Sequence, residues 1–194
     1  MLNKILPFLT LALPLLLEGC YTPIIEGAQQ GYDASRRGSL KTEARESDDP
    51  VAEYNLGNNY CCKGGGPMDD LTVYDNIKAT HWYCKAARSG YGPAQLQLAR
   101  LYSGHAIRGL HVALRASALV GTAETDLGVA LMWARLAANN KSSGDVDDAS
   151  ELQDEITGKA TIKERADADA LMKKWRTARC QWSEIFPSGP SAKK

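Results

Sequence analysis

Ala52-Glu53-Tyr54-Asn55-Leu56-Gly57-Asn58-Asn59-Tyr60 returns 42 residues later as Ala94-Gln95-Leu96-Gln97-Leu98-Ala99-Arg100-Leu101-Tyr102. Self-similarity at a spacing of about 20–50 residues is the sequence mark of a repeat architecture. Within the first copy Ala52, Leu56 and Tyr60 fall every fourth residue, so they share one face of a helix. Further on, Asp75, Ala79, Trp82, Ala86 and Ala87 return as Asp126, Ala130, Trp133, Ala137 and Ala138, this time 51 residues later. The unequal shifts place about nine extra residues inside the second copy. Both copies therefore read as one helical hairpin, with a lengthened loop in the second.

Local signals punctuate these helices. Asp49 precedes Pro50, an N-cap followed by a proline in the first turn, where no donor is lost. Asp75 and Asp126 are the matching N-caps of the second helices, and Gly64-Gly65-Gly66-Pro67 breaks the chain after the first helix. Towards the end, Val146 to Ile156 and Ile162 to Arg179 read as a terminal hairpin. Thr161 with Glu164 forms a capping box for its last helix, and Leu171, Trp175 and Ala178 form the core stripe. One hairpin cannot bury both of its faces, so the hairpins must stack. Trp82 and Trp133, beside buried-type alanines, read as packing residues.

The pattern Ala52-x-Tyr-x-Leu-Gly-x-x-Tyr60, then Asp75, Lys78-Ala79 and Trp82-Tyr83-x-Lys85-Ala86-Ala87-x-x-Gly90, resembles a Sel1-like repeat. The resemblance implies an all-α fold, a short α/α solenoid related to tetratricopeptide repeats. Full units would span about 49–90 and 92–140 of a domain over 27–180. Gly31 to Leu40 resembles the leading helix and Gly turn that precede a first full unit, and 181–194 reads as a loose tail.

The amino end differs in kind. Met1 to Lys4 carries one positive charge and Ile5 to Leu17 is almost wholly apolar, a run of about 13 residues that falls short of the roughly 20 needed to span a membrane. It reads as a secretory leader over 1–19. Leu17-Glu18-Gly19-Cys20 resembles the lipobox of bacterial lipoproteins, with Glu18 departing from the usual small or apolar residue. The resemblance implies acylation of Cys20, a tether over 20–26 and, with Tyr21 in the second mature position, sorting to the outer membrane with the domain facing the periplasm.

An exported chain meets an oxidising compartment, so Cys61, Cys62, Cys84 and Cys180 are disulfide candidates. At most one of the adjacent pair can face Cys84 at the Cα separation a bridge tolerates. Cys62 with Cys84 is the favoured pairing, leaving Cys180 either to close onto Cys61 or to link a second copy into a disulfide-linked dimer. A zinc site using His81, Cys84 and the adjacent thiols is the sharper alternative.

Lys plus Arg and Asp plus Glu are equal at 23 each, which argues against a nucleic-acid partner. No nucleophile elbow, phosphate loop, dinucleotide fingerprint or paired-His metalloprotease motif occurs, so neither an enzyme nor a cofactor is expected. The resemblance to cysteine-rich Sel1-like proteins keeps a peptidoglycan- or β-lactam-directed envelope enzyme as the alternative. The expected function is a lipid-anchored scaffold or adaptor that binds a protein or peptide of the cell envelope in a helical-repeat groove. Its contacts would come from Asn55, Asn58, Gln95 and Arg100, with Arg108 and Arg115 on a basic strip that includes His105 and His111.

Overall fold

In the computed structural model, residues 28, 31–62, 75–105, 125–140 and 146–187 are described. They are mostly helical, with no strand among them. Helix α1 covers residues 31–46. It is followed by α2 (Pro50–Tyr60), α3 (Asn76–Arg88), α4 (Gly92–Ser103), α5 (Leu127–Ala138), α6 (Val146–Lys159), α7 (Ile162–Met172), a 3₁₀ turn (Trp175–Thr177) and α8 (Trp182–Ile185). No described helix is long and apolar enough to cross a membrane. The leader, Cys20, the tether and the basic strip beyond His105, including Arg108 and Arg115, lie outside the described residues.

The caps form where the side chains dictate. Asp49 accepts from the amide of Val51, Asp75 from Lys78 and Asp126 from Val129, at 2.9, 3.1 and 3.0 Å. Thr161 and Glu164 close a reciprocal capping box at the head of α7. Each arrangement satisfies amides that the first turn of a helix leaves unpaired. Helix α1 runs through Gly38, where a turn is expected. Leu40 and Ala44 lie buried beyond it, and one glycine in a helix costs only about 1 kcal/mol.

Packing follows chain order: α2 lies on α3, α3 on α4, α4 on α5, and α5 on both α6 and α7. Small residues allow close approach. Ala79, Ala86, Ala87, Ala94, Ala99, Ala130, Ala134 and Ala137 are all fully buried in one core with Leu56, Leu98, Leu131 and Met132. Aromatic rings tie successive helices. Tyr54 meets Tyr83 at 5.9 Å and Tyr91 at 5.3 Å between centroids, and Trp133, completely buried, meets Trp175 edge-on at 6.4 Å. Trp82 is only partly buried, with its ring against His81 and the Lys85 ammonium.

The end of the chain departs from expectation. The last long helix stops at Met172 rather than Arg179, and Trp175 sits in the 3₁₀ turn. The chain then turns back over α3 and α4. Of the tail expected to be loose, residues 181–187 are described, and they form α8 with Ile185 buried and Trp182 and Phe186 packed on the core.

Candidate binding site

A cleft of about 190 Å³ opens between α1 and α2. Tyr32 and Arg36, one turn apart, line its α1 side, and Asn55 and Asn58 line its α2 side. Tyr32 is 48% exposed at the mouth of the cleft. The Arg36 guanidinium donates to the Tyr32 hydroxyl at 3.1 Å and lies 5.4 Å from its ring centre, so the two hold each other at the rim.

Asn59, on the same wall, is fully used. It donates to the Asp33 carbonyl at 2.8 Å and accepts from Arg37 Nε at 2.8 Å, locking α1 onto α2. The Arg37 guanidinium also covers the Tyr60 ring at 4.3 Å. Asn58 is oriented: the Tyr83 hydroxyl donates to its Oδ1 at 2.7 Å, which leaves the amide N–H₂ without a bond to the described residues. Asn55 is exposed and makes no side-chain hydrogen bond with them. The wall therefore offers one pre-aligned donor and one uncommitted amide, a turn apart, beneath an aromatic rim.

The other two expected contact residues are engaged elsewhere. Gln95 is 2% exposed, donates to the Ala87 carbonyl at 3.1 Å and accepts from Asn140 at 3.4 Å. Arg100 is 9% exposed and paired with Asp148 at 2.8 Å, tying α4 to α6. Sequence comparison of the two copies finds these positions but cannot tell an exposed polar face from one covered by the next helix. His105, from the expected basic strip, is held by Ser103 at 2.9 Å and Glu155 at 2.7 Å. Hydrogen bonds from Lys159 first, and then from His105, hold the Glu155 carboxyl below its ordinary range.

The cysteines correct the expected pairing. Cys84 is bridged to Cys180 with Cα atoms 5.8 Å apart, and Cys61 is bridged to Cys62 just beyond the end of α2. Cys62 does not meet Cys84, and Cys180 is buried inside its own chain rather than presented to a second copy. With Cys84 bridged and His81 exposed against Trp82, the proposed zinc set is not assembled. Among the described residues no group of three His, Cys, Asp or Glu side chains could hold a metal ion.

Around the Cys84–Cys180 bridge the chain end lies against α3 and α4. Arg88 Nη2 donates to the Ala178 carbonyl at 2.7 Å, the Tyr102 hydroxyl donates to the Cys180 carbonyl, and the Trp182 amide donates to Thr80 Oγ1 at 2.9 Å. Burial pushes the Tyr102 hydroxyl well above its ordinary range, so it remains a donor at any working pH. Glu184 accepts from the amides of Cys180 and Gln181 at 2.8 and 3.0 Å and closes the segment on itself. Burial raises the Glu184 carboxyl, but these two amide bonds outweigh it and hold the group below the usual range.

Comparison with protein families, with curated proteins and with solved structures finds no match to this chain.

Proposed function

We propose that this protein is a lipid-anchored adaptor of the bacterial cell envelope, a Sel1-like α/α solenoid that grips an extended stretch of a partner protein in the cleft between α1 and α2. The observation that carries the reading is the Asn58 side chain, set by the Tyr83 hydroxyl so that its N–H₂ is presented beside exposed Asn55 and half-exposed Tyr32. An extended peptide displays carbonyl and amide groups at regular spacing, and carboxamides one helical turn apart match such groups without reading side chains. The aromatic rim supplies the rigid apolar contact that anchors such interfaces. The order of packing from α2 to α5, each helix on the next, supports a stacked-hairpin arrangement. Acylated Cys20 would hold the domain at the outer membrane, facing the periplasm.

The test is site-specific photocrosslinking in producing cells, with a photoreactive residue in place of Tyr32 in the full chain. A discrete adduct that weakens several-fold with Asn55→Ala, and persists with Lys163→Ala on the distant α7, supports the reading. An adduct indifferent to Asn55→Ala, or no adduct at all, contradicts it. Asn55 makes no bond with the described residues, so its truncation leaves the fold intact.

A further inference from the structure

The chain from Ala178 to Trp182 is held as proteins hold a bound peptide rather than as they hold their own loops. Ala178 and Gln181 are extended, with φ and ψ of −63° and 151° and of −77° and 149°. Ala178 and Cys180 are buried while Arg179 between them is exposed, the alternation of an extended strand laid on a surface. The three groups bound by α3 and α4 are all main chain, on residues 178, 180 and 182, and their partners are the side chains of Arg88, Tyr102 and Thr80. The helices α3 and α4 therefore do not bond the side chains at 179 and 181; the Arg179 guanidinium is held instead by Asp126 at the head of α5, at 2.7 Å. On the α3–α4 face selectivity lies at two places: Cys180, which meets Cys84, and Trp182, whose ring stacks on Tyr102 at 6.1 Å with Phe186 against both. Thr80 and Tyr102 are fully buried beneath the segment, and the hydroxyl of each bonds to its main chain.

We propose that the α3–α4 face is a second peptide site, for an extended segment bearing a cysteine two residues before an aromatic side chain, and that residues 178–187 are its resident occupant. Binding in trans proceeds by thiol–disulfide exchange. The incoming peptide's cysteine, as thiolate, attacks Cys84 Sγ of the Cys84–Cys180 bridge; the new bond joins Cys84 to the peptide, the Cys84–Cys180 bond breaks, and Cys180 leaves as thiolate, so no external oxidant or reductant is consumed. Where Cys180 is replaced, the free Cys84 thiolate attacks a peptide cysteine activated as a mixed disulfide, and the small thiol leaves as thiolate. The resident segment competes as an intramolecular ligand, which keeps the site closed to weak peptides.

The experiment uses the full chain carrying Cys180→Ser and a labelled peptide with the sequence of residues 178–187, its cysteine activated as a mixed disulfide with glutathione. Capture at Cys84, mapped by mass spectrometry, should outpace that of a scrambled peptide with the same activated cysteine by at least about tenfold, since aromatic anchoring and main-chain bonds are lost on scrambling. A peptide with Trp182→Ala should fall between the two, and Tyr102→Phe in the protein should narrow the gap. Equal capture of ordered and scrambled peptides, or attachment at Cys61 or Cys62, overturns the proposal. If Cys180→Ser does not fold, the wild-type chain in a glutathione redox buffer gives the same ratio of ordered to scrambled capture.

Discussion

Gly57 lies where α2 meets α3, and a Cβ built there would fall 2.5 Å from Cδ1 of the buried Tyr83 ring. Overpacking of this kind costs about 1–3 kcal/mol, and the roughly 1 kcal/mol of helix propensity that alanine brings offsets only part of it. Gly57→Ala should therefore lower the midpoint of urea unfolding, although the same change stabilises an exposed helix. The Tyr83 ring it would displace also orients Asn58, so the glycine belongs to the cleft as much as to the core. Four residues earlier, Glu53 is 3% exposed, with Oε1 paired to Lys85 at 2.8 Å and Oε2 without a partner among the described residues. Lys85→Met leaves that carboxylate buried and unpaired, and should cost about 1–3 kcal/mol in the same measurement. The hydrogen bond that Lys85 donates to Glu53 is the leading cause that holds Lys85 above its ordinary 10.5. Its contribution is complete at neutral pH and fades only as the pH rises past the lysine range.

At the scale of the helix, stability is written into its first turns. Asp75 is raised by burial, but the side-chain and backbone bonds from Lys78 prevail and hold it below 3.8. The Thr161 side-chain and backbone bonds likewise hold Glu164 below 4.5. Carboxyls with lowered values stabilise above their unfolded values and lose that contribution as pH falls through the folded ones. Acid unfolding should accordingly set in below about pH 4.5. Glu164→Gln, which keeps the cap but cannot titrate, should flatten the slope of stability against pH in that window. Asp126→Ala should remove about 1 kcal/mol at neutral pH, read by thermal denaturation. These caps were legible in the sequence because a cap is local: Asp49, Asp75, Asp126 and the Thr161–Glu164 box need only their next three residues. The end of α7 was not legible. The stripe of Leu171, Trp175 and Ala178 has helical spacing, but Trp175 reaches Trp133 from a 3₁₀ turn, and the chain leaves the helix to cross α3.

For the molecule as a whole, the Cys84–Cys180 bridge joins positions 96 residues apart and fixes the chain end to α3. Closing so long a loop is worth about 2–5 kcal/mol through the unfolded chain, so reduction or Cys180→Ser should lower the unfolding temperature markedly. Its effect should exceed that of any single cap. This pairing was beyond the sequence because it depends on where the last helix ends, which periodicity misplaced. Of the four described contact positions, Asn55 and Asn58 line a cleft, while Gln95 and Arg100 are covered by later elements. Repetition assigns equivalent positions to equivalent faces, but it does not say which of those faces later elements cover. The account turns on export: oxidised cysteines, a membrane anchor and an envelope partner all require it. The measurement that tests this most directly is the intact mass of the protein extracted from membranes, with and without reduction and alkylation. The account predicts a chain beginning at acylated Cys20, with no alkylation of Cys61, Cys62, Cys84 or Cys180 until reductant is added. A chain that retains its first 19 residues, with those four thiols alkylated directly, would contradict it.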